Sequence, residues 1–180
     1  MTMKAKILFP LALAVSLAGC ASGPKSDVYS YRSDFGAGPG IDLIVDNELE
    51  SGDRPTELVW LNALRTHRGA WDALYYLEVR YEALPQTGYL EINPGDTLQL
   101  TVDGQLIKFR GNGSMNERKE TNSTLIEHAL YEVKVDDIRK IAKAKSVKVD
   151  IVGSQRTIHR EFKPANIEKF RTFVLTYMGF

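Results

Sequence analysis

The feature that most constrains the fold is a pair of short alternating segments, 97–102 and 105–110, joined by Asp103-Gly104. Asp-Gly accepts the positive φ angles of a two-residue type I′ turn, and that turn matches the twist of antiparallel strands. A loop of this length sets Leu100 opposite Ile107 and Leu98 opposite Phe109, so both apolar sets fall on one side. A slip by one residue would turn all of them to the other face. Turn chemistry and apolar pattern agree on one hairpin, and the rest of the chain must supply a sheet around it.

The flanking sequence does so. Residues 41–45 are a short apolar run leading to a polar turn through Asp53-Arg54-Pro55. Residues 56–64 are apolar on both alternating faces, the pattern of a central strand, with a helix as the alternative. Ala73, Tyr75, Leu77, Val79 and Tyr81 alternate with Glu78, Arg80 and Glu82, a half-buried strand that Pro85 ends. Tyr89 to Ile92 reads as another short strand before Asn93-Pro94-Gly95-Asp96 turns the chain. Residues 111–124 form a polar loop, longer than most hairpin connections, and 125–133 resumes alternation through Ala129, Tyr131 and Val133. A second hairpin is expected from 146–152 and 156–162 around Gly153-Ser154.

Two helices complete the pattern. From 136 to 145, Asp136 and Asp137 lie at the positive end of the macrodipole and Lys140, Lys143 and Lys145 toward the negative end. Ile138, Ile141 and Ala142 give that helix one apolar stripe. Pro164 suits a first helical turn, and Ile167, Phe170, Val174 and Met178 repeat at three- and four-residue steps through about 178. The sequence predicts an α+β domain: a largely antiparallel sheet or sandwich of about seven to eight strands, with helices at about 136–145 and 164–178.

The N-terminus carries an address. Met1 to Lys6 is positive, Ile7 to Val15 is apolar apart from Pro10, and small residues close the segment. This is the layout of a secretory signal peptide, with an apolar stretch too short for a stable span. Leu17-Ala18-Gly19-Cys20 resembles the lipobox of bacterial lipoproteins. That resemblance covers only about the first twenty-two residues, and it implies cleavage before Cys20 and acylation of its thiol, palmitate being a typical chain. Two or more acyl chains would give stable attachment. Ala21 stands where an aspartate would resemble an inner-membrane retention signal, which favours the outer membrane. The expected organisation is a signal peptide over 1–19, a lipidated flexible tether over 20–40 and one periplasmic domain over 41–180. As a flexible coil the tether spans about 25 Å.

Composition narrows the chemistry. Removing 1–19 takes away Lys4 and Lys6 and leaves 21 basic against 23 acidic side chains, too little positive charge to imply nucleic-acid binding. Cys20 is the only cysteine, so once acylated it leaves no thiol for a disulfide or a zinc site. His67, His128 and His159 show no metal-ligand spacing, Ser114 and Ser154 do not fit G-x-S-x-G, and no motif implies a cofactor. Arg65-Thr66-His67-Arg68 is a compact basic cluster in which Arg65, His67 and Arg68 are candidate contacts for an anion or an acidic partner, the plainer reading being a solvated turn. Of Tyr75 and Tyr76 only one can face the core.

These observations point to a non-catalytic outer-membrane lipoprotein, held to the membrane through Cys20 and contacting an envelope protein, peptidoglycan or a lipid. The alternatives are an envelope hydrolase with a site no motif reveals, and a carrier of a small hydrophobic ligand, which would need an apolar cavity between sheet and helices.

Overall fold

A computed structural model describes residues 40–44, 46–50, 56–67 and 73–179, together with the backbone of 28–31. The strands are β1 (Val28–Tyr31), β2 (Gly40–Ile44), β3 (Glu57–His67), β4 (Ala73–Ala83), β5 (Gly95–Val102), β6 (Gln105–Gly111), β7 (Arg118–Glu120), β8 (Leu125–Val133), β9 (Val147–Val152) and β10 (Thr157–Glu161). Helix α1 (Val135–Lys143) lies between β8 and β9, and α2 (Pro164–Tyr177) follows β10. All pairings are antiparallel, in one sheet ordered β1-β2-β3-β4-β8-β6-β5-β9-β10, with β7 on β8. The fold is α+β, as the sequence predicts, and it is one sheet rather than a sandwich.

The hairpin forms in the expected register. Leu98 pairs with Phe109 and Leu100 with Ile107. Asp103 and Gly104 take φ angles of 47° and 87°. The Asp103 side chain also acts beyond its turn, since its carboxylate accepts the N–H groups of Lys145 and Ser146, each at 2.9 Å. Those two amides are thereby drawn out of the helical pattern, and α1 stops at Lys143, before the expected 145. At the other end of the chain, Pro164 opens α2 as expected.

The β9–β10 hairpin turns at 153–156, where the Gly153 N–H donates to the Arg156 carbonyl at 2.9 Å. A Cβ at Gly153 would stand 2.1 Å from the Leu90 carbonyl oxygen, so this turn requires a residue without one.

The sheet curls strongly. β3 and β10 are far apart in strand order, yet Arg156 Nη2 donates to Glu57 Oε1 at 2.7 Å and the Glu50 N–H to the Glu161 carbonyl at 3.2 Å. The inner face of the curl holds the core, with Leu61, Val79, Tyr131, Leu100 and Val149 all fully buried. α1 adds Ile138, Ile141 and Ala142 to it, and α2 adds Ile167, Phe170, Phe173 and Val174.

Three expectations need correction. The segment read as a tether over 20–40 contributes β1, whose residues 28–31 pair antiparallel with β2. The loop over 111–124 contributes β7, whose three residues pair with β8. Residues 89–92 join no ladder, because a side chain takes the place of a neighbouring strand: Glu127 Oε2 accepts the N–H of Leu90 at 2.8 Å and Glu127 Oε1 that of Ile92 at 2.8 Å. Residues 1–19, Cys20, the turn at 53–55 and Arg68 lie outside the described residues.

Candidate functional site

Alternation along β3, β4 and β8 sends one set of side chains into the core and the other to the outer face of the sheet. On that face Trp60, Arg80 and His128 lie side by side in register, and so do Asn62, Glu78 and Leu130 in the next row. The Arg80 guanidinium sits 4.7 Å over the Trp60 ring and pairs with Glu82. His128 Nδ1 lies 3.0 Å from Glu78 Oε1, and Asn62 Nδ2 donates to Glu78 Oε2 at 3.0 Å. The bond to His128 is the main cause holding the Glu78 carboxyl below its ordinary pKa. Burial opposes it, and Asn62, the His128 charge and Arg80 add to it.

Around this spine of paired charges the face turns apolar. Leu64 and Tyr76 are partners across β3 and β4. Leu74 and Leu130 are 46% and 47% exposed, unusual for leucine inside strands of a central sheet. Tyr75, on the opposite side from Tyr76, packs against the core, so the two tyrosines divide as the alternation requires. Chemically this face offers apolar contact area beside the Glu78–His128 and Arg80–Glu82 pairs, with the exposed Glu132 opposite Tyr76.

The polar spine continues inward. Asn62 Oδ1 accepts the Asn47 N–H at 3.2 Å, and Asn47 Oδ1 accepts from Asn166 Nδ2 of α2 at 2.9 Å. Asn166 Oδ1 in turn accepts the Lys163 N–H at 2.7 Å and caps the helix. Sequence reasoning found none of these asparagines. Asn62 carried a signal, since it is a polar residue inside an otherwise apolar strand.

The basic cluster falls on the inner side of the sheet. Register sets Arg65 opposite Asp42 and His67 opposite Gly40. Arg65 Nη1 lies 3.0 Å and His67 Nε2 3.4 Å from the same Asp42 oxygen, and that carboxylate is almost fully buried. The structure therefore directs Arg65 and His67 to an internal acid. Asp42, alternating with Ile41 and Leu43 in a short apolar run, was the missed partner. Tyr177 of α2 lies near enough that burial, and secondarily the Asp42 charge, raises its hydroxyl pKa.

Loop 111–124 is tied down by Ser114 and Glu127, both fully buried. Glu127 accepts from the Ser114 hydroxyl and from the N–H groups of Leu90, Glu91 and Ile92, with Arg118 Nη2 at 3.7 Å. The signal for Glu127 was its place two residues before Ala129, on the face that alternation sends inward. Glu57 is a third buried acid beside Asp42 and Glu127, held by Arg156 and near Arg160. Each histidine has one carboxylate neighbour: Asp42 for His67, Glu78 for His128 and Asp150 for His159. Among the described residues no group of three or more His, Cys, Asp or Glu is placed to hold a metal ion.

No protein-family model matches the chain, and neither a curated protein nor a solved structure is found similar to it.

Proposed function

We propose that this protein is a lipid-anchored, non-catalytic lipoprotein of the bacterial outer membrane. Its α+β domain faces the periplasm and binds another envelope component through the outer face of β3, β4 and β8. The anchor rests on Leu17-Ala18-Gly19-Cys20 and on Cys20 being the only cysteine. The binding face rests on one observation: Leu74 and Leu130 stay about half-exposed on the outer face of β4 and β8, near the Glu78–His128 and Arg80–Glu82 pairs. Apolar side chains at such positions are a recurrent mark of contact surfaces.

Two measurements test this reading. Cys20→Ala should move the protein from the membrane to the soluble periplasmic fraction, and continued pelleting with membranes would contradict the anchor. A photo-crosslinking residue at Leu130 should capture an envelope component in living cells, while one at Lys108, exposed on β6, should not. Equal labelling at both would contradict the face.

One observation serves the rival reading of an envelope hydrolase, namely the imidazole of His128 held by Glu78. A carboxylate-oriented imidazole can take up a proton from a reacting group. Under that reading His128→Ala would abolish a hydrolytic activity without lowering stability.

A further inference from the structure

The reach of the anchor is set by the point at which the chain joins the sheet. β1 begins at Val28, and only residues 21–27 separate it from Cys20. Fully extended, that stretch spans at most roughly 29 Å, and as a flexible coil about 15 Å. A domain of ~150 residues has a radius of gyration of about 15 Å and so a diameter near 40 Å. The edge that carries β1 therefore cannot turn to the far side of the domain from the bilayer.

The apolar part of the outer face starts at that edge. Leu43 of β2 is opposite Leu64, and Leu64 is opposite Tyr76, one row across the three strands next to β1. The adjoining row runs from Ile41 through Thr66 to Leu74. Strands lie about 4.8 Å apart, so the patch begins one spacing from β1 and ends at Leu130 some 19 Å away. Two charge pairs border it, Glu78 with His128 and Arg80 with Glu82, and the exposed Glu132 lies opposite Tyr76 at its margin. Such pairs meet an apolar or interfacial neighbour at lower cost than lone charges do. Tyr76 adds an amphipathic ring of the kind that favours the headgroup level.

We propose that the apolar corner formed by Leu43, Leu64, Leu74, Tyr76 and Leu130 rests on the lipid surface of the bilayer that holds acylated Cys20. The domain then lies on the membrane with its sheet face down, instead of standing clear of it on a long tether. This rests on the lipoprotein reading above and names the partner of its binding face. A protein partner is the competing occupant, and the chain length disfavours it, because so short a connection keeps this face within reach of the headgroups.

The test uses the full acylated protein, reconstituted in vesicles of phosphatidylethanolamine and phosphatidylglycerol. An acylated Cys20 leaves no other thiol, so L74C, L130C and a control K108C can each carry one fluorescent label. A spin-labelled phospholipid should quench the labels at 74 and 130 several-fold more than the label at 108. Equal quenching at all three positions in vesicle-bound protein would overturn the proposal and leave the anchor standing. So would weak quenching at 74 and 130 together with a protein adduct at Leu130 in cells. Failure of the anchor reads out separately, as protein that incorporates no labelled palmitate and floats free of the vesicles. The exposed-site double variant L74E/L130E should retain its fold by circular dichroism and lose the quenching difference.

Discussion

Removing the Glu127 carboxylate should be among the most damaging single changes to this fold. Glu127 is fully buried and accepts the N–H groups of Leu90 at 2.8 Å, Glu91 at 3.3 Å and Ile92 at 2.8 Å, together with the Ser114 hydroxyl. Leu90 and Ile92 are themselves buried. Glu127→Ala leaves their amides without acceptors and Arg118 without its nearby charge. A buried donor stripped of its partner costs about 1–3 kcal/mol, and breaking a buried charged cluster from one side costs about 3–5 kcal/mol in all. We expect the latter figure, a large share of the roughly 5–15 kcal/mol that stabilises an ordinary domain. Glu127→Gln retains one carbonyl oxygen and turns an amide N–H₂ toward the other donors, so its cost should be about half. Urea unfolding of the purified protein measures both. With a slope of about 2 kcal/mol per molar, the midpoint should fall by about 2 M for the alanine variant, the slope unchanged. Hydrogen exchange at the Leu90 and Ile92 amides should accelerate in parallel. If Glu127→Ala stays within about 0.5 kcal/mol of the parent, the carboxylate is not what holds these two loops.

Other outcomes follow from the same geometry. Gly153→Ala should destabilise by about 2 kcal/mol or more in the same urea assay, since its Cβ would stand 2.1 Å from the Leu90 carbonyl oxygen. Asp42→Ala should cost about 3 kcal/mol by leaving Arg65 and His67 facing no acid, while Asp42→Asn should cost less. Burial pushes the Tyr131 hydroxyl up to about 12 and raises Tyr81 as well. The unfolded chain therefore loses those protons first, near pH 10, and binds fewer than the folded one. Stability should be intact below pH 10 and fall by about 1.4 kcal/mol per pH unit for each such tyrosine until the folded state also ionises. Melting temperature followed from pH 8 to 12 checks this, and a flat profile would refute it. At the acid end Glu78 works the other way. Its lowered pKa contributes stability above the ordinary glutamate range that is lost as pH falls through the folded value.

Most of the architecture was written in local chemistry. Asp103-Gly104 fixes a turn whose register the alternation of Leu98, Leu100, Ile107 and Phe109 then repeats, and the structure follows both. Pro164 and the apolar steps of Ile167, Phe170 and Val174 define α2 in the same way. What the sequence hid is long-range. Glu127 replaces a strand for residues 89–92 because its carboxylate faces a segment 35 to 37 positions away, and no local pattern encodes that meeting. β1 and β7 are short strands whose residues lack strong alternation, and pairing with a neighbour is what orders them. The outer face was half legible. The strand pattern separates Tyr75 from Tyr76, but the meeting of Asn62, Glu78 and His128 depends on how β3, β4 and β8 align. The basic cluster looked like a surface until Asp42 entered from β2.

Everything proposed about the role of this domain depends on its anchor, and mass spectrometry of the N-terminal peptide of the protein purified from membranes tests that anchor directly. The account predicts a chain that begins at Cys20, its thiol bearing a diacylglyceryl group and its new amine a further acyl chain. A chain that retains residues 1–19, or one that begins elsewhere with Cys20 unmodified, would contradict it.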